Sequence, residues 1–359
     1  MAKTNYMSLN QKSKLMVFPK VGKAIIIFFA IAFIVVGIRA YQLYGFIFEE
    51  NIKSEFVLFI PENATFDQVL DSLQTNEVLN NEKAFKWVSK KKDYPKLVKP
   101  GRYLLKKEMN SNQIVNMLRS GKQAPVKLTF NNVRFKEELA GKVSKYIWAD
   151  SVEILNLFYN LKLISEYGFN PETFRTMFIP NTYEFYWTTS AEEFAERMKK
   201  EYDRFWNETR LEKAKEMGLT PEEVIILASI VQSETVKPDE MKTVAGLYMN
   251  RLQKGIRLQA DPTIKYAVGD YSLRRVNNGH LKTESPYNTY IYAGLPPGPI
   301  AFPEISAIDA VLNYEKHNYL YMCAKEDFSG YHNFAKTLAQ HNRNAEKYRK
   351  ALDKNKIYK

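Results

Sequence analysis

Glu234 is the residue whose surroundings most clearly allow chemistry. It closes an apolar run, Val224–Gln232, that starts just after Thr220, Pro221, Glu222 and Glu223. Thr220 and Glu223 are spaced for a capping box, Pro221 suits the first helical position, and the two glutamates favour a positive helix start. Leu227, Ile230 and Val231 precede Glu234 at helical spacing, so its carboxyl emerges on the apolar stripe. Desolvation by that stripe and the negative end of the helix dipole both disfavour the charged form. A carboxyl that stays protonated near neutral pH can serve as a general acid. The alternative is a helix-end glutamate that reaches solvent or pairs with a base such as Arg251.

The elements that must position this acid follow at once. A second helix is expected from about Asp239, with Met241, Val244, Ala245, Tyr248 and Leu252 on one face. Asn250 and Arg251 lie near its end and Gly255 stops it. Arg257, Leu258, Gln259, Ala260, Asp261, Pro262 and Thr263 form a polar turn that opens a further helix. Ser285–Tyr290 then leads into Gly294–Ile300 and Pro303, a run holding Pro296, Pro297, Pro299 and Pro303. So rigid a stretch, rich in amide, hydroxyl and aromatic groups, reads as a preorganised cleft wall or as a locked surface turn.

The length, 359 residues, suits two or three domains, and one cysteine, Cys323, precludes an internal disulfide. Cys323 itself reads as a small core residue on a strand. The net charge of +12 sits mostly at the ends: residues 1–23 contribute five lysines and no acid, and residues 343–359 a net +5. The nearly neutral body argues against a nucleic-acid groove. The basic tail after Arg343 reads as an exposed helix. Ala24–Ile38 is uninterrupted by charge, and with Arg39 snorkelling and tyrosines at the interface a span over residues 22–44 is expected. Lysines before it and acids after it place a basic tail, residues 1–21, in the cytoplasm and the remainder outside. That makes the chain a single-pass plasma (inner) membrane protein with its main body periplasmic. Residues 54–123 read as two short strand–helix units: Phe56, Leu58 and Ile60 before a Thr65–Gln68 capping box, then Tyr103–Leu105 before Asn110–Gln113 and a Gly121 stop. Such a unit is a binding module or a spacer. Residues 124–218 open with a strand at Val126, Leu128 and Phe130 and continue mainly helical. Within them Phe178–Trp187 is a core turn or a sugar-stacking shelf. Nothing calls for a cofactor, and His280, His317, His332 and His341 lack paired metal spacing.

Taken together, LASIVQSET (Leu227–Thr235), NRL (Asn250–Leu252), LQADPT (Leu258–Thr263), SPYNTY (Ser285–Tyr290) and GLPPGPI (Gly294–Ile300) resemble the bacterial endolytic murein transglycosylases, or YceG-like proteins. FIPNTYEFYW (Phe178–Trp187), His332-Asn333-Phe334 and His341-Asn342 are similar to further motifs of that family. The resemblance implies an α+β protein: a single transmembrane helix, a small LysM-like module over residues 54–123, and a mixed α/β YceG-like catalytic domain over residues 124–359. It implies non-hydrolytic cleavage of MurNAc–GlcNAc bonds within nascent peptidoglycan strands, leaving 1,6-anhydro-MurNAc ends and terminating elongation beside the synthases. Glu234 takes the catalytic position, and Asn250, Gln259, Asp261, Tyr287, Asn288 and Tyr290 become candidate substrate contacts. One carboxyl suffices, first as acid to the leaving oxygen and then as base to the MurNAc C6 hydroxyl. The chain departs from the family pattern at Gln232, usually Glu, and at Asn181, usually Asp. Two rivals stay open: a hydrolase pairing Glu234 with Asp261 or Glu284, and a non-enzymatic scaffold tethering membrane to wall.

Overall fold

The computed structural model describes residues 20–273 and 276–355, so nearly all of the expected cytoplasmic tail lies outside the described residues. The chain forms two compact units that divide at Ala124 and Pro125.

The first unit opens with helix α1 (Lys20–Phe48). At 1.5 Å per residue its 29 residues extend about 43 Å, more than a hydrocarbon core requires. Within its segment Gly22–Phe48 an 18-residue stretch has a mean hydropathy of 2.5 and is not buried in protein. Among the described residues it is the one helix long and apolar enough to cross a membrane. Such an exposed apolar helix suggests a membrane anchor, while its C-terminal end packs on the unit's core through Ile47 and Phe46, the latter against Trp87.

The rest of that unit runs β1 (Phe56–Ile60), α2 (Phe66–Thr75), α3 (Glu82–Lys91), β2 (Gly101–Leu105) and α4 (Ser111–Ser120). β1 and β2 pair antiparallel, Phe56 opposite Leu105 and Ile60 opposite Gly101. Leu58 and Ile60 face inward with Tyr103 and Leu105, onto Val69, Leu73, Phe85, Val88, Ile114 and Leu118. Both expected capping boxes form, at Thr65–Gln68 and Asn110–Gln113. Buried Asn51 joins the helix starts: its amide donates to Asn81 O at 2.9 Å and to Ser111 Oγ at 2.8 Å.

The second unit contains β3 (Val126–Phe130), α5 (Lys136–Val143), α6 (Ser151–Asn156), α7 (Leu161–Glu166), β4 (Asn181–Phe185), α8 (Ala191–Phe205) and α9 (Glu208–Met217). These are followed by α10 (Pro221–Glu234), α11 (Met241–Gln253), α12 (Asp261–Val268), α13 (Ile305–Leu312), β5 (Tyr321–Ala324), β6 (His332–Ala335) and α14 (Leu338–Lys354). β3 pairs antiparallel with β4, and β5 with β6. Within Phe178–Trp187, Phe178, Ile179, Tyr183 and Phe185 are buried in the core, and Tyr183 Oη donates to Ile179 O at 2.6 Å, whereas Tyr186 is exposed.

At the centre of this unit lies α10, with every residue from Val224 to Val231 buried and with α11, α12 and α13 packed around it. The Thr220–Glu223 capping box closes its first turn, as the spacing requires. Inside it, Ser229 Oγ donates to Ile226 O at 2.7 Å and accepts from Ile300 N at 3.1 Å, fastening the proline-rich run to the helix.

Segment 315–319, which leads into β5, lies directly on α11. Glu315 N donates to Lys242 O at 3.0 Å, and His317 Nε2 lies 2.9 Å from Thr243 O. The approach is possible because residue 246 is glycine: a Cβ there would stand 2.2 Å from Glu315 O and 2.8 Å from His317 Nε2. Gly246→Ala is therefore expected to destabilise the protein by about 1–3 kcal/mol, the usual cost of overpacking a close-packed contact. Denaturant unfolding measures this, and an unchanged midpoint would show that the segment is not held by this contact.

Candidate active site

Glu234 ends α10, and its half-buried carboxyl Oε1 accepts a 2.6 Å hydrogen bond from Tyr248 Oη on α11. Burial pushes the carboxyl up to about 7, Tyr248 partly offsets this by bonding to the charged form, Asp261 raises it further and Lys265 lowers it. Near neutral pH the group therefore holds comparable populations of acid and carboxylate. That is the condition a side chain needs if it is both to give and to take a proton.

The carboxyl lines a cavity of about 470 Å³ whose walls come from α10, α11, the turn before α12, the strand pair β5–β6 and the start of α14. Of the residues singled out in sequence, Gln259, Asp261 and Tyr290 share this cavity with Glu234. Tyr290 Oη donates to Asp261 Oδ1 at 2.6 Å, so the loop of residues 285–290 is fixed to the first turn of α12. Gln259 adopts a φ of +52°, and its Oε1 accepts from Arg251 Nη1 at 3.2 Å.

Three expected contacts are placed elsewhere. The Asn250 amide donates to His317 O at 2.7 Å and to Tyr319 O at 3.0 Å, holding the segment that leads to β5. Asn288 is buried: its amide donates to Leu281 O and Thr283 O, and its Oδ1 accepts from Tyr290 N at 2.9 Å. It shapes the loop that presents Tyr290. Tyr287 lines a separate cavity of about 490 Å³ with Tyr266, Tyr271 and Arg175. In each case the motif is local in sequence, but the backbone turns successive side chains to different faces.

The structure also brings in residues that sequence reasoning left without a site role. In sequence Tyr248 reads only as part of an apolar helix face, and its position fourteen residues after Glu234 gives no local cue. Arg251 does not serve as a charge partner at the end of α10. Its guanidinium donates to Leu320 O, Arg257 O and Leu258 O at 2.7–2.9 Å, drawing β5 and the 257–259 turn together. Cys323, expected in the core, is half-buried and lines the cavity with Tyr321, His332 and His341. Among the described residues the tail after Arg343 is helical with no buried residue, as expected, but its helix begins earlier, at Leu338, and Leu338 and His341 of its first turn line the cavity. Glu284 is exposed and lies outside the cavity lining.

A family model described as the YceG-like family matches residues 58–347. The chain belongs to this family. It is 30% identical over 317 residues to an endolytic murein transglycosylase of Bacillus subtilis (strain 168), covering 84% of this chain and 86% of that one. An endolytic murein transglycosylase of Streptococcus pneumoniae serotype 2 is 25% identical over 359 residues, covering 90% of this chain and 64% of the relative. A crystal structure of a yceG-like protein from Listeria monocytogenes superposes with a TM-score of 0.52 at 29% identity, spanning 81% of this chain and 99% of that one.

Both departures from the YceG-like pattern fall outside the cavity lining. Gln232 Oε1 accepts from Glu304 N at 2.7 Å, just before α13, a bond that needs only an acceptor oxygen. Asn181 starts β4 and its Oδ1 accepts from Thr182 N at 2.8 Å.

Two predictions follow from the electrostatics. Tyr248→Phe removes a donor to the charged form and moves the Glu234 titration upward, whereas Asp261→Asn removes a neighbouring negative charge and moves it downward. NMR titration of the Glu234 side chain, or the alkaline limb of a pH–rate profile, reads both shifts, and displacement in the same direction would contradict this geometry. Because the folded carboxyl titrates near 7 against an ordinary value of 4.5, folding binds a proton between these limits. Its contribution to stability is therefore complete at low pH and is lost as pH rises towards 7, by on the order of 3 kcal/mol. Glu234→Gln is expected to gain stability over the wild type at pH 8 but not at pH 5, as read by calorimetry.

Proposed function

We propose that this protein is a membrane-anchored lytic endotransglycosylase that cleaves MurNAc–GlcNAc bonds within nascent peptidoglycan strands and leaves 1,6-anhydro-MurNAc ends. The reading draws on its membership of the YceG-like family and on relatives named endolytic murein transglycosylases. The observation that supports it most is the Glu234 carboxyl, raised to about 7 inside a cavity large enough for a sugar unit.

As acid, Glu234 protonates the departing glycosidic oxygen while positive charge develops at the anomeric carbon. The C6 hydroxyl of the same MurNAc then closes on that carbon, so no water enters the product. In the one-carboxyl form of this reaction the hydroxyl proton passes to the Glu234 carboxylate just formed. Tyr248, bonded to Glu234, holds the carboxyl in one rotamer and stabilises it once charged. Gln259, Asp261 and Tyr290 supply hydrogen-bonding groups to the sugar from the same cavity. Asn250 and Asn288 act indirectly, by positioning the walls.

The α1 helix holds the chain in the plasma membrane, with the lysine-rich start in the cytoplasm and the cavity outside, where new strands emerge. The module over residues 54–123 lies between anchor and enzyme in sequence, where a LysM-like contact with the glycan, or with a neighbouring synthase, would favour growing strands.

The test is mass spectrometry of fragments released from nascent, uncrosslinked strands by the full-length chain in detergent, wild type beside Glu234→Gln. Anhydro ends are expected from the wild type, with the variant slower by about 10²–10⁴-fold. Reducing ends would make it a hydrolase and turn attention to Asp261, and equal cleavage by both proteins would remove Glu234 from the reaction.

A further inference from the structure

A second group able to handle a proton stands in the Glu234 cavity. His332 begins β6, and its Nδ1 lies 2.7 Å from Glu240 Oε2 while its backbone N donates to Glu240 Oε1 at 2.7 Å. Thr235 Oγ1 donates to the same Oε2 at 2.9 Å. The Glu240 side chain is 5% exposed and that of His332 is 16% exposed, so this cluster is built into the protein rather than laid on its surface. A carboxylate oxygen only accepts, so Nδ1 carries the hydrogen and the neutral ring keeps a bare Nε2 as its acceptor. His332 lines the cavity, and with Nδ1 turned to Glu240 the nitrogen left for a ligand is Nε2. Thr235 follows Glu234 directly in the chain, so the same bonds hold the imidazole to the helix end that carries the acid.

We propose that His332, oriented by Glu240, is the general base of the reaction, its Nε2 taking the proton of the MurNAc C6 hydroxyl as that oxygen attacks C1. The proposal rests on the lytic reading and replaces only its last proton transfer. The C1–O bond to the departing GlcNAc breaks as Glu234 protonates that oxygen. The C6 oxygen forms the new bond to C1, and its proton moves to Nε2, leaving an imidazolium against the Glu240 carboxylate. Exchange with solvent removes one proton from His332 and returns one to Glu234, so no water is consumed and no co-reactant is needed. A carboxylate that fixes the tautomer of a histidine base and supports its charged form is an arrangement that hydrolytic triads use for the same purpose. Splitting the two roles also frees Glu234 from having to move from the leaving oxygen to the C6 hydroxyl within one turnover. The charged and titratable groups around the imidazole are Glu240 at Nδ1, the neighbouring Tyr331 with its partner Asp239, and Glu234, Tyr248, Arg251, Asp261, Tyr290, Tyr321, Cys323 and His341 in the cavity lining.

The experiment is the pH dependence of anhydro-end formation by the full-length chain in detergent, from pH 5 to 9. The wild type is expected to give a bell, with an alkaline limb from Glu234 and an acidic limb from His332. His332→Asn keeps an amide N–H for Glu240 but has nothing in place of Nε2. It is expected to lose 10²-fold or more in kcat with KM within a few-fold, to lose the acidic limb, and to recover part of its rate in added imidazole. In Glu240→Gln the acidic limb is expected to move to lower pH, because the charged ring loses its negative partner. A purely structural role would lower activity at every pH and leave the limb in place. The proposal is overturned by a wild-type profile with no acidic limb, by His332→Asn at full kcat or with the limb retained, or by Glu240→Gln with the limb unmoved. If His332→Asn fails to fold in a thermal scan, the other two readings decide. Absence of anhydro ends from the wild type would instead sink the lytic reading itself.

Discussion

The catalytic unit depends on a single constraint: a carboxyl must sit at the C-terminal end of a helix whose middle is wholly buried. Eight consecutive buried residues, Val224–Val231, make α10 a rod in the core, and a rod so enclosed cannot tilt without opening its neighbours. Its polar residues become fixed reference points. Ser229 receives the proline-rich run, Gln232 receives the start of α13, and Thr235 reaches Glu240. The desolvation that anchors the helix is the same effect that raises the Glu234 carboxyl. Stability of the fold and the raised titration of Glu234 therefore have one cause, and the carboxyl is costly to the fold when it ionises.

Around that helix, polar groups separate into those that face the cavity and those that shape it. Arg251, Asn250 and Asn288 are directed mainly at backbone carbonyls, satisfying groups that would otherwise be buried without partners. Asn250 ties α11 to the approach to β5, Arg251 ties the 257–259 turn to it, and Asn288 joins the two halves of the loop before Tyr290. Gln259, Asp261 and Tyr290 are left on the walls, together with Tyr321, His332 and His341 from the C-terminal strands and helix. A cleft assembled from so many separate stretches is rigid because its supports are hydrogen bonds to main chain rather than mobile ion pairs.

The first unit follows a simpler logic. Its sheet has only two strands, too few to be stable alone, so three helices cover one face and a buried Asn51 locks two helix starts together. The helix before it leaves most of its apolar circumference unburied in protein, the pattern expected of a membrane-crossing segment.

Local order was largely legible in the sequence because it depends on short-range rules. The capping boxes at Thr65, Asn110 and Thr220, the alternation in β1, the apolar run that becomes α10 and the long apolar helix α1 all rest on residues within a few positions of one another. Glu234 was legible for the same reason, since helical spacing alone puts it on the apolar stripe. Which neighbours share its cavity was decided only by the tertiary structure. Tyr287 and Tyr290 are three residues apart in one loop yet line different cavities, because the bonds of Asn288 set the turn between them. Tyr248 and Glu240 reach the site through packing of α11 against α10, and His332 through a bond to Glu240 that joins residues 92 positions apart. No periodicity encodes such a meeting. It arises when burial of the apolar faces fixes how the elements pack, and the polar groups then bond to whatever that packing has brought within reach.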